Sequence, residues 1–257
     1  MSSYSYISSS AAKKNAPISC RNCPIKHCCL PLGLDQIDIE QFEGIIKQRK
    51  PLHKSEYLFR PGDPMQQVYT VRSGALKLYC LDLEGNERIN DFYLPGELIG
   101  LDAIGADYYR GYAVALDTTT VCTIPLHQLE ELAGRFPHIR QRLLNLLSRQ
   151  IHYSHQNLNH SRENAEQRLT AFLLDLSARY GKCGRSATRF SLPMSRGEIA
   201  NYLGLTGETI SRLLSRYRQQ GLIELQGREI QLLNLPTQTP VWLAPPPGRD
   251  ALRLSVG

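Results

Sequence analysis

The 257-residue chain carries 30 Lys and Arg against 24 Asp and Glu, a formal net charge of +6, with 42% apolar residues and seven cysteines. That is enough for two ordinary cores. The opening MSSYSYISSSAAKK lacks an apolar run of signal-peptide length and no later segment reaches the length of a membrane span, so a soluble, cytoplasmic chain with no membrane partner is expected.

Residues 1–49 read as a polar arm, a cysteine segment and a short helix near Asp35 to Gln48. Seven cysteines, an odd number in a reducing compartment, argue against a disulfide framework, and four of them crowd between Cys20 and Cys29. The spacing Cys20-x2-Cys23-x5-Cys29, with Cys122 far downstream at the end of a predicted strand, suits an iron–sulfur cluster or a tetrahedral zinc. Cys80 reads as a small core residue and Cys183, in a polar loop, as an exposed bystander.

From 50 to 136 the pattern becomes short alternating runs (QVYTV, ALKLYCL, RINDFYL) separated by turn signals at Pro61-Gly62-Asp63, Ser73-Gly74, Glu84-Gly85-Asn86 and Pro95-Gly96. This predicts a β-roll or sandwich. Residues 137–160 read as one long helix. Ile139, Leu143, Leu147, Ile151 and Leu158 recur at spacings of four or seven and form a candidate dimerisation seam, interrupted by Ser154. Each buried Leu or Ile of such a seam contributes ~1.5–3 kcal/mol. Leu144 and Leu146 are expected to pack on the roll or on the following domain.

Residues 161–234 carry the clearest motif. Ser195 stands three residues before Glu198, the pattern of a capping box, with Met194 and Ile199 as a staple. Ala200 is small where two helices cross, Gly204 supplies a turn, and Thr206 can cap the next helix. The inner side is apolar: Ile199, Leu203, Leu205, Ile210 and Leu213. On the outer face Glu208, Ser211, Arg212, Ser215 and Arg216 recur near the second helix's start, where recognition helices meet base edges. Arg212 can donate to guanine O6 and N7, Glu208 can accept from cytosine N4, and Ser211 can reach a base, a methyl or a phosphate. LIELQGREIQLL predicts a two-stranded wing. Residues 137–230 hold 14 Lys and Arg against 7 Asp and Glu, so the positive excess lies where a polyanion would bind. The Pro-rich tail 235–257, with Trp242, has no evident periodicity.

The cysteine spacing, together with FRPGDP, VRSGALK, LPGELIG, NAEQRLTAFLLDLSARY and SRGEIANYLGLTGETISRLLSRYRQQGLI, resembles the FNR-type (fumarate and nitrate reduction) regulators of the cyclic-AMP receptor protein (CRP/FNR) superfamily across residues 18–232. The resemblance implies an α+β architecture: an N-terminal cyclic-nucleotide-binding-like β-roll sensor domain, a long dimerisation helix, and a C-terminal winged helix-turn-helix. It implies that Cys20, Cys23, Cys29 and Cys122 ligate one 4Fe-4S cluster per subunit, that the cluster favours a homodimer, and that oxygen or nitric oxide attacks it. It further implies that Glu208, Ser211 and Arg212 read TTGAT-like half-sites of an inverted repeat, activating or repressing genes under anaerobic conditions. Arg72 to Lys77 and Glu84 to Glu87 match regions that touch RNA polymerase.

Two departures stand out. Cys28 falls where relatives have an apolar residue, and could be a substitute ligand, a persulfide site, a modulator of oxygen attack or an innocuous small residue. Ser154 falls where relatives can carry an acidic residue, with His152 and His155 beside it. A cyclic-nucleotide receptor is the main rival. Gly96-Glu97-Leu98 is present, but Tyr109-Arg110-Gly111-Tyr112 lacks the Ser that would help Arg neutralise a phosphate. A ferredoxin-like electron carrier would leave the DNA-reading helix idle. No nucleophile, base and orienting group share a readable spacing, so no enzyme is expected.

Overall fold

A computed structural model describes residues 19–31, 36–159 and 164–235. The arm before Ser19 and the tail after Leu235 lie outside the described residues. The cysteine segment from 19 to 31 is a run of turns, followed by α1 (Gln36–Ile45) and β1 (Lys47–Gln48). The helix stops short of Gln48 because Lys47 and Gln48 pair with Thr123 and Cys122 of β8 (Thr120–Pro125), trading a last helical turn for a sheet edge.

The remaining roll strands are β2 (Tyr57–Phe59), β3 (Gln67–Ser73), β4 (Leu76–Leu81), β5 (Glu87–Tyr93), β6 (Leu98–Ile99) and β7 (Tyr112–Ala115). They form two antiparallel four-stranded sheets, ordered β1-β8-β3-β6 and β2-β7-β4-β5. Between them lies an apolar core that includes Leu58, Phe59, Val68, Tyr69, Leu76 and Ile99. Tyr109 stacks on Phe59 with centroids 3.9 Å apart, and its hydroxyl donates to the Gln67 carbonyl at 2.5 Å.

Three helices follow: α2 (Leu126–Arg135), α3 (Pro137–Asn159) and α4 (Ala165–Lys182). α4 opens on a capping box between Asn164 and Gln167. The first half of α3 departs from the expected seam. Ile139 is buried within the roll core, 1% exposed, and cannot face a second helix, while Leu143, Leu146 and Leu147 are half-buried against the same core. Leu144, expected to pack inward, is instead exposed (54%), as is Ile151 (58%). Leu144 and Ile151, seven positions apart, therefore form the outward stripe, and the four-residue repeat through Ile139, Leu143 and Leu147 turns toward the roll. The side chains of Leu158 and of the residues around Ser154 are not among those described.

The C-terminal unit comprises α4, β9 (Arg189–Ser191), α5 (Arg196–Leu203), α6 (Gly207–Gln219), β10 (Ile223–Gln226) and β11 (Glu229–Leu232), with strand order β10-β11-β9. The wing thus has three strands where two were expected, since Arg189–Ser191 pairs with β11 across a gap that a three-residue polar strand does not announce. A second apolar cluster joins this unit to the outer face of the β2-β7-β4-β5 sheet. It brings Tyr79, Ile89 and Phe92 from the roll against Phe172, Leu173 and Ala200. No helix among the described residues is long and apolar enough to cross a membrane.

Candidate nucleic-acid interface and cysteine cluster

Local chemistry sets the helix-turn-helix. Ser195 Oγ accepts from Glu198 N at 3.2 Å while Glu198 Oε2 accepts from Ser195 N at 2.7 Å, closing the capping box. α5 ends at Gly204, whose φ of 64° lies in the left-handed region that glycine tolerates. Thr206 Oγ1 accepts from Thr209 N at 3.2 Å and starts α6. Ile199, Ala200, Leu203, Ile210 and Leu213 are buried, leaving the opposite face of α6 to solvent.

On that face Glu208 and Arg212 are 75% and 69% exposed in their side chains and pair with each other at 2.9 Å. Ser211 Oγ donates to the Gly207 carbonyl at 2.9 Å and accepts from Arg196 Nη1 at 3.3 Å. The three predicted readers thus share one helix face near its N-terminus, two of them free to reach outward and Ser211 held closer to the backbone. Arg216 is drawn aside to Glu166 of α4 at 3.6 Å.

A polar clamp fixes this unit to the roll. Asn201 of α5 accepts from Ile89 N at 2.8 Å and donates to the Glu87 carbonyl at 2.7 Å, so its amide satisfies the outer edge of β5 as a neighbouring strand would. Lys77, 13% exposed in its side chain, bridges Glu87 at 2.5 Å and Glu198 at 3.2 Å. It is therefore part of the interdomain clamp, which removes it from the solvent-facing polymerase region expected at Arg72 to Lys77. The tip of the β4–β5 hairpin does protrude, with Leu83 fully exposed. Deeper in the interface Arg179 of α4 is bound by Glu97 and Asp175, and both it and Asp175 sit among apolar α4 residues. Sequence reasoning missed this pair, although two opposite charges four residues apart on an apolar helix face were a usable signal. No local signal marks Asn201.

Cys20, Cys23, Cys29 and Cys122 are all buried and unbonded. The Cys20 backbone amide and that of Arg21 both donate to Glu43 of α1, which anchors the start of the segment. The turns continue with Cys23 N donating to the Cys20 carbonyl at 3.2 Å and Cys29 N to the Ile25 carbonyl at 3.0 Å. β8 brings Cys122 to the same place, opposite Gln48 and Thr70. Burial first, and then the field of Cys122, pushes the Cys20 and Cys29 thiols up to about 12. Burial likewise raises Cys122 to about 11, against the pull of nearby Arg72. All four thiols feel one another electrostatically, 92 residues of chain separating Cys29 from Cys122. Among the described residues no group of three or more His, Cys, Asp or Glu is gathered tightly enough for a single metal ion.

The other three cysteines differ from the sequence-based expectation. Cys28 and Cys183 form a disulfide with Cα atoms 4.9 Å apart, so Cys183 is neither exposed nor a bystander, and one bridge exists where none was expected. Both residues are half-buried. Cys80 is half-exposed rather than core, accepting from Asn90 Nδ2 at 3.3 Å.

The roll interior bears on the nucleotide rival. Tyr109, from the segment that would hold a phosphate, is buried in the stack with Phe59, whereas Arg110 is exposed. A side chain at Gly111 would approach Leu78 Cδ1 at 3.0 Å. Tyr109 is thereby part of the packed core of the roll.

Residues 49–136 match the model of the cyclic nucleotide-binding domain, and residues 167–237 that of the Crp-like helix-turn-helix domain. The anaerobic regulatory protein of Aggregatibacter actinomycetemcomitans is 44% identical over 219 residues, 85% of each chain. The fumarate and nitrate reduction regulatory protein of Shigella dysenteriae is 41% identical over 218 residues, 84% of this chain and 87% of that one. Among solved structures, FixK2 from Bradyrhizobium japonicum superposes with a TM-score of 0.67 at 31% identity, covering 74% of this chain and 93% of its own. A β-roll joined to a capped helix-turn-helix, with relatives this similar over most of their length, places the chain in the CRP/FNR family, as an anaerobic transcription regulator and not an enzyme.

Proposed function

We propose that the protein is an oxygen-responsive regulator in which Cys20, Cys23, Cys29 and Cys122 hold one 4Fe-4S cluster, and whose dimer reads an inverted repeat. The observation that carries this reading is the convergence of four buried, unbonded thiols from an arm and a distant strand. Soft thiolates from three arm positions and a distant strand are the ligand type an iron–sulfur cluster takes, and the similarity to the fumarate and nitrate reduction regulatory protein of Shigella dysenteriae favours that cluster over zinc. When bound, the cluster supplies the oxygen-sensitive chemistry. The chain's own residues bury the ligand sulfurs, and Glu43 orients the loop that bears Cys20. The elevated thiol pKa values mean that metal uptake releases protons and weakens as pH falls.

Dimerisation is assigned to the outward stripe of α3, with Ile151 from the expected seam joined by Leu144; Leu143 and Leu147 flank it, half-buried against the roll, and Ile139 belongs to the roll. Each copy then offers Glu208, Ser211 and Arg212 to one TTGAT-like half-site, half-sites lying about one helical turn apart. The exposed β4–β5 turn at Glu84, Gly85 and Asn86, within the Glu84 to Glu87 stretch that the resemblance implies, is the surface assigned to RNA polymerase.

Anaerobic purification with absorbance, iron and sulfide analysis, followed by binding to an inverted repeat before and after air, tests the reading. Four irons per subunit and loss of binding in air are expected. A colourless protein that binds equally well in both conditions would overturn the oxygen-sensor assignment and leave the regulator standing.

A further inference from the structure

We propose that Cys28 and Cys183 are a reversible thiol–disulfide exchange site, separate from the four cluster thiols, which covalently ties the cysteine arm to the DNA-binding unit. The two residues are 155 positions apart in sequence, yet their Cα atoms lie 4.9 Å apart, an ordinary separation for a disulfide. Cys28 directly precedes Cys29, and Cys183 is the C-cap of α4, so the bridge spans the two functional regions.

The roll contributes a seat for the two sulfurs. They lie 3.7 and 3.0 Å from the Pro95 carbonyl. Gly96, at φ 95°, leaves open the volume they fill: a Cβ there would stand 2.3 Å from Cys28 Sγ and 3.1 Å from Cys183 Sγ. The four other arm and strand thiols remain free while the bridge is closed, so its formation does not consume a ligand.

Access is provided by a cavity of about 330 Å³ that both cysteines line, together with His27, Arg142 and Lys182. Lys182, exposed among the lining residues, suits a carboxylate-bearing small thiol such as glutathione, while the Asp91 and Glu97 carboxylates of the same lining are held by Arg179. The oxidant is a low-molecular-weight disulfide. One protein thiolate attacks it, forming a mixed disulfide and expelling a small thiolate. The second protein thiolate then attacks the protein-side sulfur, closing Cys28–Cys183 and expelling the second small thiolate. Two protein thiols are oxidised, one small disulfide is reduced, and the two protein protons pass to the departing thiolates. The reverse exchange reopens the bridge.

Closing a loop of 155 residues between the arm and α4 restricts the unfolded chain and holds the two units together. The full-length protein, purified anaerobically, should be equilibrated with graded ratios of glutathione to glutathione disulfide, quenched with an alkylating reagent and mapped by peptide mass. A Cys28–Cys183 cross-link that rises with oxidation and reverses on returning to reduced glutathione is expected. Oxidised protein should also unfold at higher urea than reduced protein, and Cys183→Ser should abolish both changes while binding iron as the wild type does. Three results would overturn the proposal: no cross-link to Cys183 at any ratio, a cross-link to Cys183 that survives Cys28→Ser, or a Cys183→Ser protein that no longer binds iron.

Discussion

Arg179 on α4 donates through Nε and Nη2 to both oxygens of Glu97, at 2.8 and 2.5 Å, in the turn between β5 and β6. The same guanidinium reaches Asp175 at 3.2 Å and the Phe92 carbonyl, so one side chain, 11% exposed, closes the interface between the roll and the DNA-binding unit. Removing it leaves the buried Asp175 and the half-buried Glu97 and Asp91 without their counter-charge. Arg179→Ala should therefore cost about 3–5 kcal/mol in urea unfolding, and Arg179→Lys should recover only part, because an ammonium cannot match the two-pronged geometry. A loss below ~1 kcal/mol would show that the carboxylates find other partners.

Asp91 stands beside this hub, 4.0 Å from Arg179, its carboxylate accepting from Phe92 N at 2.7 Å. Burial pushes its pKa up from 3.8 to about 7, with Arg179 pulling the other way and Glu97 reinforcing the rise. Between these two values the folded chain holds a proton that the unfolded chain has released, so Asp91 lowers stability progressively as pH rises through that window and no further above it. Asp91→Asn should consequently stabilise the protein at pH 8 relative to wild type and lose that advantage toward pH 4. Urea midpoints across the range test this; parallel curves for the two proteins would remove Asp91 as the titrating group.

The Glu208–Arg212 pair predicts how DNA is read. Arg212→Ala should cost ~1–3 kcal/mol on an inverted repeat and relax the preference at one base pair. Glu208→Gln should weaken specific binding while leaving random-sequence affinity unchanged or higher, since one negative charge is lost. Binding isotherms on matched, substituted and random duplexes separate the outcomes, and an equal loss on all three for Arg212→Ala would confine it to phosphate contact.

Along α3 the split between roll-facing and outward residues can be measured directly. Ile151→Glu should abolish anaerobic self-association in sedimentation experiments with little effect on monomer stability, because Ile151 is 58% exposed. Ile139→Ala should do the reverse, destabilising the roll by about 2–4 kcal/mol through the cavity it leaves. A dimer that survives Ile151→Glu would place the seam on another face.

Much of this molecule was legible because the relevant interactions are short in sequence. Ser195 and Glu198 satisfy each other's backbone amides three residues apart, Gly204 adopts the left-handed turn its lack of a side chain permits, and Glu208, Ser211 and Arg212 share a face by helical periodicity alone. The alternating runs of the roll are legible for the same reason, since strand period is a local property. The cysteine spacing singled out four residues, although only the tertiary structure puts Cys122 beside the arm.

What the chain order could not decide is whatever depends on which surface meets which. Ile139 has the right spacing for a seam, but the roll lies against that face of α3 and buries it, turning Leu144 outward instead. Asn201 and Lys77 are ordinary polar residues until the edge of β5 comes against α5. Cys28 and Cys183 look like two unrelated spare thiols, and become partners only because the Pro95-Gly96 turn seats both sulfurs in one place. Local hydrogen bonding and periodicity are written in neighbouring residues; burial and long-range pairing arise from the packing of whole domains.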